Sequence, residues 1–231
     1  MDLLEELKMI TPNGYSLKSN YQGYAKFELE SNFGINTIGL GDILNGSFIG
    51  LKARISFFSI EEILRPAFAT DKDTNYSVTL TTDQHGFIFN KAIGVGVYEY
   101  LPLELNSPVA LETMRSLILR FVEQDALPFF EYWKDIRCFL PFIETSDIRN
   151  VVNNVFAGDA LKKKMVIWKL CSHPQFEKLA SDRLSIYEQA ISDNPNDAPL
   201  KKESKAFQSF VKQLQRTEPL YEWDPEYLKQ K

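Results

Sequence analysis

Near Ser107 the periodicity of this chain changes. Before it, short alternating apolar runs are separated by Gly, Asn and Asp; after it, apolar residues recur every three or four positions almost to the C-terminus. A strand presents alternate residues to one face and a helix every third or fourth, so the two halves cannot share one structure. The seam predicts an α+β fold: an antiparallel sheet over residues 15–105, covering helices over 107–142, and a helical C-terminal extension. In this reading residues 1–142 form the α+β domain. Residues 146–231 are a helical extension or subdomain, either separate from it or continuous with it.

A short amphipathic stretch over 2–10 is stopped by Thr11-Pro-Asn-Gly14. Tyr24–Glu30 then alternates for a half-buried strand, and Leu51, Ala53, Ile55 and Phe57 share one face of another. Five glycines between Asn32 and Gly50 read as a loop or a bulged strand. Further strands are predicted over Tyr76–Thr82, over Phe87–Phe89 after a turn at Asp83–Gly86, and over Ile93–Tyr100, where Pro102 ends the run. The connections are too short for parallel crossovers.

Ser107-Pro108 is a helix start, with Ser as N-cap and Pro in the first turn. Further helices are predicted over 125–133, Asp147–Phe156, Ala160–Cys171, Gln175–Ser192 and Leu200–Gln215, with Asn194–Pro199 as a linker. Phe121, Phe129, Phe130, Tyr132, Trp133, Phe139 and Phe142 make 121–142 the most aromatic stretch, and their helical spacing assigns them to a helix–sheet interface. Tyr221, Trp223 and Tyr227 suggest a tail docked back on the fold.

Charge is distributed unevenly along the chain. Residues 1–106 carry 8 Lys and Arg against 13 Asp and Glu, hence −5, whereas residues 107–231 carry 18 of each. The acidity thus lies in the sheet half. With no basic excess at the level of the whole chain, a nucleic-acid partner is not expected. Met1-Asp-Leu-Leu-Glu-Glu has acids where a secretion signal needs basic residues, and no run reaches the length of a membrane span. A cytoplasmic protein with no membrane partner is the expectation, with Cys138 and Cys171 as reduced core thiols.

Motifs with chemistry stop short of completion. Asp71, Asp73 and Asn75 stand at calcium-loop spacing, but Tyr76 occupies the position that needs Gly and Thr82 the one that needs Glu. His85 follows Asp83 by two residues, a pair able to orient an imidazole, yet no nucleophile-elbow sequence accompanies it. His173, before Pro174, is expected to cap a helix or face solvent. The glycines at 34, 39 and 41 match neither phosphate-binding fingerprint. Lys162-Lys-Lys164 reads as a solvated helix face. Tyr187 to Pro195 looks like the closing half of a tetratricopeptide repeat, but no second copy follows at a 34-residue period, so it is read as part of a helical cap. No metal or cofactor is expected.

The order of acidic N-terminal helix, antiparallel sheet, capping helix and then Ala126-Leu-Pro128-Phe-Phe130-Glu resembles bacterial α+β families, some of whose members accompany toxin–immunity loci. The resemblance covers residues 1–142 in outline and supplies no catalytic residues. It implies a bacterial, non-catalytic module that binds a protein, as an immunity or accessory factor does. The acidic half implies a basic partner, met through the binding residues Asp71, Asp73 and Asp83, while His85 with Asp83 would serve the alternative pocket. A pocket between the sheet and the aromatic helices, for a small molecule or a reaction, is the alternative. A homo-oligomer stays open.

Overall fold

The computed structural model describes residues 3–41, 43–65, 78–82, 99–148, 152 and 155–229. A short helix, α1 (Leu3–Met9), precedes strands β1 (Ser16–Ser19), β2 (Ala25–Glu30) and β3 (Gly34–Gly41). Then come β4 (Ser47–Gly50), β5 (Lys52–Phe57), helix α2 (Phe58–Leu64), β6 (Leu80–Thr81) and β7 (Glu99–Glu104). The described strands make a five-stranded antiparallel sheet in the order β1-β2-β3-β5-β6 and a two-stranded pair, β4-β7. The fold is α+β, as the change of periodicity predicts.

Alternation builds the inner face of the sheet. Phe27, Ile38, Ala53, Ile55 and Phe57 are buried, while Lys26, Glu28 and Arg54, which alternate with them, are half-buried. Gly34 is required by close approach: a Cβ there would lie 2.2 Å from the carbonyl oxygen of Ser56 on β5. Pro102 does not end its strand. It lies within β7 where the register with β4 shifts, so the missing N–H falls in an irregular stretch of the ladder.

Ser107 caps α3 (Pro108–Phe121), its Oγ accepting from the Ala110 N–H at 3.2 Å. A π turn over Val122–Ala126 joins α3 to α4 (Leu127–Tyr132), so the helix expected from 125 begins as a widened continuation of the one before. Phe121, Phe129, Phe130, Trp133 and Phe139 are buried, and Phe139 meets Phe57 of the sheet edge-on at 5.9 Å. They fill the helix–sheet interface.

The remaining helices are α5 (Leu140–Ile143), α6 (Ala160–Leu170), α7 (Phe176–Asp193) and α8 (Ala198–Arg216). Helix α6 starts on the Asp159 cap and α8 on the Asp197 cap. Of the helix expected over 147–156, residues 149–151, 153 and 154 lie outside the described residues, and the other five are turn, bend, coil or 3₁₀ backbone, not α-helix. Tyr187 bonds Glu203 and Gln215 bonds Glu177, which makes α7 and α8 an antiparallel hairpin. A single cluster of buried apolar residues runs from Leu7 through the sheet and α6 to Leu214 of α8. Among the described residues, no helix is long and apolar enough to cross a membrane.

Candidate functional site

Asp71, Asp73, Asp83 and His85, the binding residues expected from sequence, lie outside the described residues. Three other polar groups, read as bland in the sequence, occupy chemically unusual places.

The first two are on α6. Lys163 and Lys164 are buried, not solvated. Helix α6 is apolar nearly all round, with Ala160, Met165, Val166, Ile167, Trp168 and Leu170 all buried, and a helix of that kind takes its lysines inward with it. That signal was present in the sequence beside the lysine run. Lys163 Nζ lies 3.2 Å from Glu61 of α2 and donates to the carbonyls of Val78 (2.6 Å) and Ala157 (2.5 Å). Burial lowers its pKa against the opposing pull of Glu61. Lys164 donates to the Thr145 carbonyl at 2.5 Å and sits 4.1 Å from the centroid of the Trp168 ring. Burial brings its pKa down to about 8; the charge of Glu144 opposes the shift and that of Arg183 adds to it.

The third group is His173, which caps a turn but does not face solvent. Its Nδ1 accepts the Gln175 N–H at 3.1 Å, leaving Nε2 to donate to Glu144 at 3.0 Å. The ring stacks on Trp168 with centroids 3.9 Å apart and takes Trp223 edge-on at 4.3 Å. Burial lowers its pKa, Glu144 opposing and Lys164 adding, so the imidazole is neutral. Each of these groups is spent on an internal partner, and His173 orients nothing but its own surroundings.

Trp223 belongs to the C-terminal tail, which docks as expected. The N–H groups of Leu220 and Tyr221 both donate to the Leu170 carbonyl, at 2.9 and 3.0 Å, where α6 runs out of intrahelical donors. Ser172, in the left-handed region at φ 50°, donates to the Tyr221 carbonyl. Arg137 lies over the rings of Tyr221 and Tyr227, 4.2 and 4.5 Å from their centroids, and forks onto both oxygens of Asp135, its Nε donating to Oδ1 and its Nη2 to Oδ2. Burial works against the Asp135 carboxylate, but the bonds from Arg137 hold its pKa below the usual range.

Docking the tail creates a cleft of about 300 Å³ between it, the start of β3 and the 134–136 segment. Asn32, Phe33, Phe57, Ser59, Asp135, Ile136, Leu220 and Tyr221 line it, with Lys134 at its edge. Phe33 is 69% exposed and Leu220 56%, so two large apolar side chains contribute to one opening. No local signal in the sequence marks this cleft, because Phe33 and Leu220 are far apart in the chain. It opens at the rim of the aromatic interface, whose centre is filled. Among the described residues no group of His, Cys, Asp and Glu is placed to hold a metal ion. Cys138 and Cys171 are both free, with Cys171 buried and Cys138 half-buried. Compared with known proteins, the chain matches no family model, no curated protein and no solved structure.

Proposed function

We propose that the protein is a non-catalytic binding module that takes a protein partner in the cleft between Phe33 and Leu220. The observation that carries this reading is the exposure of those two side chains at one opening. Apolar anchors that converge on a pocket are what the centre of a protein interface supplies. The acidic excess of residues 1–106, the half that contributes Asn32, Phe33, Phe57 and Ser59, suits a basic partner, as an immunity or accessory role requires. The reactive groups support binding over catalysis, since His173, Lys163 and Lys164 are all engaged inward.

A benzophenone amino acid placed at position 33, or at 220, in the host cell tests the proposal. Crosslinks from both positions to the same protein are expected, with none from position 188 on the outer part of α7. Absence of crosslinks from 33 and 220, or equal crosslinking from 188, would overturn it. The volume of the cleft supports a second reading, since about 300 Å³ is the low end of small-ligand pockets. Native mass spectrometry separates the two: a stoichiometric adduct of small mass, lost on Phe33→Asp, favours the ligand.

A further inference from the structure

We infer that the exposed face of α8 is a docking stripe for the phosphate backbone of nucleic acid, bound without regard to sequence. Lys201, Lys202, Lys205, Lys212 and Arg216 are all exposed on this helix. At 100° per residue they fall within an arc of about 100°, opposite the buried face of Phe207, Phe210, Val211 and Leu214. Glu203, the single acid of the helix, lies off the stripe and accepts from Tyr187 of α7. Among the described residues none of the five cations makes an ion pair.

The stripe runs about 22 Å from Lys201 to Arg216, the axial rise of about six phosphates along one strand of a duplex. An open groove of about 500 Å³ lies along its C-terminal part, lined by Ser209, Lys212, Gln213, Arg216 and Thr217. The hydroxyls of Ser209 and Thr217 and the amide of Gln213 donate to the carbonyls of Lys205, Gln213 and Ile63, so Lys212 and Arg216 are the groups that meet phosphate oxygens there.

Residue type decides among anionic partners. Protein interfaces are poor in lysine and rich in aromatic anchors, whereas this stripe is four lysines and an arginine with no apolar side chain among them. A helix that lies in a bilayer surface needs its apolar face free to insert, and the apolar face of α8 is buried in the fold. A phosphate backbone needs only fixed positive charge. The balance of the whole chain concealed this feature, because 18 acids offset the 18 bases of residues 107–231 while α8 segregates its bases on one face.

The test is fluorescence anisotropy of the full chain with a labelled mixed-sequence duplex of about 25 base pairs, from 50 to 200 mM salt. Micromolar binding at 50 mM is expected, falling steeply with salt because each neutralised phosphate contributes a slope of about −0.9. Lys205→Glu/Lys212→Glu/Arg216→Glu, all at exposed positions, is expected to weaken binding at least tenfold and remove most of that slope. Lys18→Glu on β1 leaves it unchanged. The inference is overturned if the duplex does not bind at 50 mM salt, or if the triple substitution binds as tightly as the parent while its circular dichroism is unaltered. It is equally overturned if phosphatidylserine vesicles or polyglutamate bind more tightly than the duplex.

Discussion

Lys163 Nζ lies 3.2 Å from Glu61 Oε1 with both side chains closed off from solvent, and the contact joins α2 of the sheet half to α6 of the helical half. Thr79 of the segment entering β6 donates to the same Glu61 oxygen at 2.6 Å, and its carbonyl accepts from Ala157. The pair is thus part of a network drawn from four segments of the chain. Its net contribution is small, because desolvating two charges offsets their attraction, but losing one partner strands the other.

Lys163→Met is therefore expected to lower the unfolding free energy by about 3–5 kcal/mol. The double substitution Glu61→Gln/Lys163→Met is expected to cost less than the sum of the two single ones. Urea titrations of the three variants measure both quantities; an additive double variant would show that the two groups do not interact.

Stability is expected to depend on pH through two depressed bases. His173 titrates below its usual 6.5 in the folded chain, so as pH falls the unfolded chain gains its proton first. The His173 contribution is then full above pH 6.5 and declines as pH falls through that value toward the folded pKa. Lys164, at about 8 against 10.5, acts higher: stability declines from pH 10.5 to pH 8 and is flat below. That difference corresponds to roughly 3 kcal/mol. Chemical denaturation at pH 5, 7 and 9.5 is expected to show His173→Gln flattening the lower step and Lys164→Met raising stability at pH 7.

Gly34→Ala is expected to destabilise by about 3 kcal/mol, because its Cβ would meet the Ser56 carbonyl oxygen at 2.2 Å and a backbone atom in a paired strand yields little. A thermal melt close to that of the parent would mean that β3 and β5 separate more easily than their register implies.

The tail is held by rings and one guanidinium. Arg137→Lys keeps the charge but loses the fork onto Asp135 and the flat contact with Tyr221 and Tyr227, and is expected to cost about 1–2 kcal/mol. Trp223→Ala is expected to shift the emission of Trp168, since it uncovers the His173 ring stacked on it. Limited proteolysis should then cut the tail after residue 217 sooner than in the parent.

The sequence by itself determined the class of fold, the seam at Ser107, the buried face of β5 and the aromatic filling of the helix–sheet interface. These follow from local periodicity, which a strand or helix reads within a few residues. Pro102 lies inside its strand because a proline ends a strand only where the ladder needs its N–H, and the register shift opposite β4 removes that need. The burial of Lys163, Lys164 and His173 was decided by tertiary structure. The apolar helix carries its lysines inward, but their partners, Glu61 for Lys163 and Thr145 for Lys164, and those of His173, Glu144 and Trp223, are brought near only by packing. The cleft joining Phe33 to Leu220 and the basic stripe of α8 arise in the same way. Side chains acquire a common surface only when packing fixes which face of an element turns outward, and the sum of charges along a chain carries no record of that choice.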